Sequence, residues 1–549
     1  MYTASSVFLK TLAESGITHA FVNWGSDHPG LLEDLERQRV EACGGSRSSA
    51  LRIVTCPNEM VALSAAQGFA QVTGKAAAVI VHVDVGTQAM AGVIHNVDRG
   101  QVPVLIYAGA SPFATTRDTR GARNEFIMWL QDIPDQPAIV RQYMRCTTEI
   151  YSAKTVSQVV RRSLQISMSQ PRGPVYLWAR REVMEEEVPE SMMKPSPDLH
   201  HWHTTEPSAL SPTATRRIAN ALLSAENPLI ITSHLGRNPS AVHLLVELSN
   251  LLAIPILSVT PSAVNVPFSH PYHLGYSYLY PGTMPDLEKS DIILVIDTDT
   301  PWVPMHYRPS ATARVFVFDG GDPLKRTMGF AHVDNAEMIC NADAAVALGQ
   351  LITDLLEIDL NLRVKKGLAA IDFPAVMARG AALRERKMQT IRNLDLLEET
   401  WKDGSRIING VAEPSIQCVR STTSNVIGVL RRAIHDLTPS KGRQTLVLNE
   451  SVSNFASVWE MRTETPGMHL TSGGSSLGWA LGAAIGAIMG NTLLGNDEQH
   501  DLAVVIVGDG SFLFGVPGSA YWIAQKENTV SRFPGIPASL TLIIGCSPF

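Results

Sequence analysis

Apolar runs of strand length recur along this chain, each set between stretches of helical pattern, and they restrict its fold more than any other feature. AAAVIVHV (76–83), VPVLIYAG (102–109), PLIITS (228–233), DIILVID (291–297), ARVFVFD (313–319), QTLVLNE (444–450) and LAVVIVGDG (502–510) are largely apolar throughout rather than alternating in polarity. A strand that is apolar on both faces must be covered on both faces, and intervening helices supply the cover. The expected fold is therefore α/β, built from doubly wound parallel sheets.

The chain has 549 residues, enough for several cores. Two polar connections divide it. Residues 182–212 (EVMEEEVPESMMKPSPDLHHWHTTEPSALSP) are acidic and proline-rich, and 355–415 are charged and helix-forming, then polar. They leave three expected blocks, 1–181, 205–355 and 410–549. Residues 526–539 read as a loop before the final strand. A net charge of −7 with no basic stripe excludes nucleic acid as an expected partner. Cys43, Cys56, Cys146, Cys340, Cys418 and Cys546 are scattered, with no pair at metal-ligand spacing, so a reducing compartment fits. The first residues read as a short amphipathic helix without signal or transit character. The apolar stretch 477–490 is too short to span a bilayer. A soluble, cytoplasmic protein is the expectation.

Three constellations could carry chemistry. In CPNEMVALSAAQGFAQVTGK (56–75), Glu59 precedes a helix with Ala62, Ala65, Ala66, Gly68 and Ala70, which could pack very closely on a neighbour. The plainer reading of Glu59 is an acid that favours a helix N-terminus. In GDGSF (508–512), Gly508, Asp509, Gly510 and Ser511 follow a strand. Such a turn offers backbone N–H groups to phosphate, and its Asp can hold a divalent cation. An ordinary strand-to-helix turn is the plainer reading. GDGSFLFG lacks G-x-G-x-x-G, which argues against a dinucleotide-binding dehydrogenase. LNESVSN (448–454) and TSGGSSLGWALGAAIGA (471–487) combine polar strand-end residues with a glycine-rich entry to a helix.

Taken together and in this order, these segments resemble the thiamine-diphosphate-dependent enzymes of the acetolactate synthase and benzoylformate decarboxylase type. FVNWGSDHPGLLEDL (21–35), VGTQAMAGVIHN (85–96) and PRGPVYLWARREV (171–183) add to the likeness. The resemblance implies three domains: pyrimidine-binding, middle and diphosphate-binding. It implies thiamine diphosphate and Mg²⁺, a small 2-oxo acid substrate, and a homodimer or homotetramer in which two subunits sandwich each cofactor. It also implies decarboxylation, carboligation, or both. Glu59 matches the glutamate that hydrogen-bonds the aminopyrimidine. Leu477 matches the apolar residue that keeps the cofactor bent, Ser453 a diphosphate contact, and Asp509 the metal-binding aspartate. Ser26, His28, His82 and Gln131 are candidate helpers. His82 falls near a catalytic histidine of benzoylformate decarboxylase, offset by a one-residue gap, and imidazole suits proton shuttling. A satisfied strand-end histidine is the plainer reading of His82. Ser26 sits in a turn like that enzyme's substrate-binding serine, and Gln131 is a candidate substrate-side amide. His95 and His306 are expected to be structural.

Two departures qualify the resemblance. ITSHLGRNP (231–239) stands where acetolactate synthases carry a glycine-rich turn, which speaks against FAD. In the family an Asn completes the metal shell after the strand that follows the GDG helix. Here that strand is expected at 540–544 and Gly545 follows, while Asn528 precedes it. The diphosphate block is thus expected to be incomplete. A catalytically impaired or regulatory homologue is the alternative to a working enzyme.

Overall fold

The computed structural model describes residues 1–43, 51–195, 202–325, 330, 332, 336–367, 369–400 and 422–527, and the backbone alone of 402–404, 407–408, 411–412, 418–420 and 544–545. It is organised as two units, one of residues 1–206 with 472–547 and the other chiefly of residues 207–471.

In the first unit six strands lie in the order Arg52–Thr55, His19–Val22, Ala77–Val81, Val104–Ala110, Val175–Arg180, Thr147–Glu149. Every pairing is parallel. The chain runs outward from His19–Val22 to Arg52–Thr55, then returns across it to Ala77–Val81. This reversal opens a crevice at the carboxyl ends of His19–Val22 and Ala77–Val81, the place where open parallel sheets bind ligands. Ala20, Val22, Ala78, Ile80, Leu105 and Tyr107 bury one face in a core completed by Val7, Phe8 and Leu12 of the helix Ala4–Glu14. Phe21, Val79, Ile106 and Tyr176 are fully buried as well, so both faces are covered.

The helix Glu59–Thr73 begins at Asn58, whose side chain accepts hydrogen bonds from the backbone of Met60 (3.0 Å) and Val61 (3.3 Å). It ends at Gly74 in the left-handed region, φ 67°. Along its length it packs on the helix Ala480–Asn491. A Cβ on Gly68 would collide with the carbonyl of Ala483, and one on Gly486 with the carbonyl of Ala65. The small-residue helix foreseen from the sequence is therefore a helix in backbone contact with its neighbour. Leu502–Val507 pairs in parallel with Ile544–Gly545, Ile506 opposite Ile544.

In the second unit the strand order is His273–Ser277, Ile256–Val259, Pro228–Thr232, Ile292–Ile296, Arg314–Asp319, Met338–Asn341, again all parallel. Strand residues alternate between two cores. Ile230, Ile292, Leu294, Ile296, Phe316 and Phe318 face one, and Leu229, Ile231, Ile293, Val295, Val315 and Val317 face the other. Leu446–Leu448, within Thr445–Glu450, is likewise buried, and this strand pairs in parallel with His469–Leu470. The stretch 355–415 contains the end of one long helix, Ala344–Lys366, and all of another, Phe373–Glu399. No helix among the described residues is long and apolar enough to cross a membrane.

Candidate active site

The crevice of the first sheet gathers most of the residues singled out from the sequence. Glu59 follows the outer strand Arg52–Thr55 and opens its helix, half-buried. Asn23, immediately after His19–Val22, donates from Nδ2 to Glu59 Oε1 at 2.9 Å. Gly86 lies against the same oxygen, where a Cβ would stand 3.3 Å away. The described contacts commit Oε1 and leave Oε2 of this carboxylate to a ligand.

Beside it lies a second group. The run Ser26, Asp27, His28 continues the chain past Asn23, and His82 caps the strand Ala77–Val81. His82 Nδ1 is 2.5 Å from Asp27 Oδ1, and His28 Nε2 is 3.3 Å from Asp27 Oδ2. The backbone N–H of Val83 points at Asp27 Oδ2, 3.4 Å away. On its outer side His82 Nε2 is 3.1 Å from Gln131 Nε2, at the end of the short helix Ile127–Leu130. Ser26 is half-buried next to this group.

Asp27 is buried, which on its own would raise its pKa. The charge of His28 and the hydrogen bond from His82 outweigh burial and hold it below the usual carboxylate value. Burial lowers the pKa of His28, and Asp27 does not fully offset it. Burial also acts to lower that of His82, but the hydrogen bond and charge of Asp27, aided by Asp84 and Gln131, raise it overall. One carboxylate thus sits between two unlike imidazoles. The arrangement can move a proton at His82 Nε2.

Asp27 and Asn23 were not singled out in the sequence. Asn23 immediately follows the buried strand His19–Val22 and Asp27 lies in the turn after it, where a polar run is a recognisable signal, but the partners of Asp27 and Asn23 lie 55 and 36 residues away. Asn96 was also missed. Its side chain bonds the backbone of Ser476 in both directions, at 2.8 and 3.0 Å. Gln67 Nε2 donates to the Ser472 carbonyl at 2.8 Å, and Ser475 Oγ meets His95 Nε2 at 3.2 Å. These bonds pin the glycine-rich segment that carries the half-buried Leu477. His95 is structural to that extent.

Asp509 does not sit in an open turn. Gly508 is extended (φ −69°, ψ 153°) and caps a short helix, Asp509–Phe514, so Asp509 is its first residue. Asp509 and Gly510 are exposed, Ser511 is buried, and open space surrounds Gly510. Met60, next to Glu59, and Phe514, at the end of that helix, both approach Gly92. The glutamate end and the aspartate end are therefore linked through packed residues of one unit. No group of three or more His, Cys, Asp or Glu able to hold a metal occurs among the described residues. Ser453 belongs to the other unit, exposed in the turn Val452–Asn454. Asn528 lies outside the described residues.

Comparison with known proteins bears on the family and the fold. The family model described as the thiamine pyrophosphate enzyme N-terminal TPP binding domain matches residues 2–139. The model of the corresponding C-terminal TPP binding domain matches residues 451–528. A benzoylformate decarboxylase of Pseudomonas aeruginosa is 23% identical over an alignment covering 97% of this chain and 85% of that protein. The fold is similar to that of benzoylformate decarboxylase from Polynucleobacter necessarius, with a TM-score of 0.69 at 16% identity, covering 96% of this chain and 84% of that one. It is also similar to a thiamine diphosphate-dependent 4-hydroxybenzoylformate decarboxylase from Rhodococcus jostii, with a TM-score of 0.64 at 19% identity and the same coverage. Because both cofactor-binding domains of one enzyme family are matched, in order, on a chain of that family's fold, this protein belongs to the thiamine-diphosphate-dependent enzymes.

Proposed function

We propose that the chain decarboxylates a small 2-oxo acid, with thiamine diphosphate held by Mg²⁺, and can join the product to a second carbonyl as acetolactate-type enzymes do. The observation that carries this reading is the paired arrangement at the sheet crevice: Glu59 held by Asn23 on one side, and His82 between Asp27 and Gln131 on the other.

The residues present fit the cofactor. At the glutamate end, a carboxylate with one oxygen occupied and one free suits a ring nitrogen that must be held in a single tautomer. At the other end, Gly508, Asp509, Gly510 and Ser511 offer backbone N–H groups and one carboxylate in open space. Mg²⁺ commonly uses one or two carboxylates together with phosphate oxygens and water, so Asp509 is a suitable ligand. Bound there, thiamine diphosphate would supply the nucleophile and the electron sink that decarboxylation of a 2-oxo acid requires.

The protein's own groups do the rest. Glu59 fixes the ring tautomer. Leu477, carried by the segment that the Asn96–Ser476 bonds anchor, would pack against the cofactor. Ser26 and Gln131 orient the substrate carboxylate, and His82 exchanges protons with the reacting carbon. By its family resemblance the active form is a homodimer or homotetramer.

Equilibrium binding of thiamine diphosphate with and without Mg²⁺ tests the cofactor half of this reading. Incubation with pyruvate and with benzoylformate, following carbon dioxide and acetolactate, tests the reaction. Tight Mg²⁺-dependent binding with carbon dioxide release is expected. Binding too weak to saturate would favour a regulatory homologue instead.

A further inference from the structure

Behind His82 the fold is shaped around a buried carboxylate, Asp27. A Cβ on Gly109 would collide with the Asp27 carboxylate, and a Cβ on Gly25 would collide with the His82 ring. The end of the strand Val104–Ala110 and the turn after His19–Val22 thus have glycine where any side chain would separate the pair. Asp27 is 5% exposed, whereas His82 reaches the crevice. The carboxylate thus lies on the inner side of the imidazole, against Nδ1, and the outer nitrogen, Nε2, faces Gln131.

We propose that Asp27 is a positioning residue that acts through His82: by holding the proton on Nδ1 it makes Nε2 the nitrogen that gives and takes the proton at the reacting centre. This inference rests on the reaction proposed above. In the neutral imidazole only one nitrogen carries hydrogen, and an ionised carboxylate beside Nδ1 selects that one. The lone pair of Nε2 is then free to accept a proton, and the imidazolium formed remains hydrogen-bonded to Asp27. The proton that replaces carbon dioxide on the substrate-derived carbon passes from Nε2, which is recharged from water. Gln131 can serve both states by turning its amide, presenting NH₂ to the bare nitrogen and its carbonyl to the protonated one.

Among the described residues, the groups that face His82 are Asp27 and His28 from the segment after the strand His19–Val22, Asp84 from its own helix, and Gln131 at the end of Ile127–Leu130. Tyr107 lies beneath, near His28. Asp27 and Asp84 favour a charged His82. His28 is 1% exposed, and its burial, which Asp27 does not fully offset, lowers its pKa.

Histidine NMR of the full chain tests the proposal without cofactor or turnover, with the His82 signal assigned as the one lost in His82→Gln. Neutral His82 is expected to carry its proton on Nδ1 and to titrate above an ordinary histidine. In Asp27→Asn the midpoint should move to lower pH. Turnover of a 2-oxo acid by that variant should fall at least about tenfold, with thiamine diphosphate affinity unchanged. Asp27→Asn/His82→Gln should be no slower than His82→Gln alone. A wild-type His82 protonated on Nε2, a midpoint unmoved by Asp27→Asn, or a further loss in the double variant of the same size as in the single one would each overturn it. If Asp27→Asn does not fold, the wild-type spectrum alone decides. A spectrum as expected in a chain that turns over no 2-oxo acid would leave the pair standing and count against the reaction.

Discussion

Glu59→Gln removes the acid and keeps the shape. Glu59 is half-buried and makes one hydrogen bond, from Asn23, which a glutamine carbonyl can still accept. The cost in stability should therefore stay within about 1 kcal/mol, and thermal melting should show a near-native transition. Turnover should fall far more, by on the order of a hundredfold, because the carboxylate and not its volume sets the ring tautomer. Steady-state kinetics on the preferred 2-oxo acid measure that loss. The same residue shows how far sequence reading reaches. Its place before a small-residue helix was legible, but Asn23 as its partner was not, because sheet pairing alone brings the two segments together. His82 and Gln131 were named separately, and nothing local in the chain joins them to each other or to Asp27.

The helix Glu59–Thr73 and its partner Ala480–Asn491 permit a test in which two effects compete. Glycine inside a helix costs up to about 1 kcal/mol relative to alanine. Gly68→Ala should gain that amount in an open position, but here the new methyl meets the backbone carbonyl of Ala483, which cannot rotate away. Overpacking of this kind costs about 1–3 kcal/mol, so the substitution should destabilise on balance. Gly486→Ala should do the same against Ala65. Gly349→Ala is the control: Gly349 lies in the helix Ala344–Lys366 with nothing within 4 Å of its would-be Cβ, and the change should stabilise. Urea midpoints of the three variants check the signs. The helix and its small residues could be read from the sequence. Which face needs glycine could not, since Ala483 is more than 400 residues away.

Several histidines are held neutral in the interior, and they set how the molecule responds to acid. Burial, assisted by Arg52 for His19, Arg237 for His234 and Lys387 for His270, lowers each to about 4. Burial lowers His500 to about 4 and His469 to about 3. Because these folded values lie below that of an unfolded histidine, the unfolded chain takes up protons first as the pH falls. Their contribution is fully present above about pH 6.5 and is lost progressively toward pH 4, each group adding at most about 1.4 kcal/mol per pH unit. Urea unfolding between pH 7.5 and 4.5 should therefore show a midpoint that drops with decreasing pH, and a flat profile would contradict the buried, neutral state of these rings. At this scale the sequence by itself determined the parallel α/β sheets, since runs such as DIILVID and ARVFVFD can be stable only when covered on both sides. It also determined the family, through motifs kept in order. Only the tertiary structure decided that Asn23, Asp27, Glu59, His82 and Gln131 share one crevice. Strand order in the sheet is set by which buried faces pack together, and that information is spread along the chain rather than carried by any one segment.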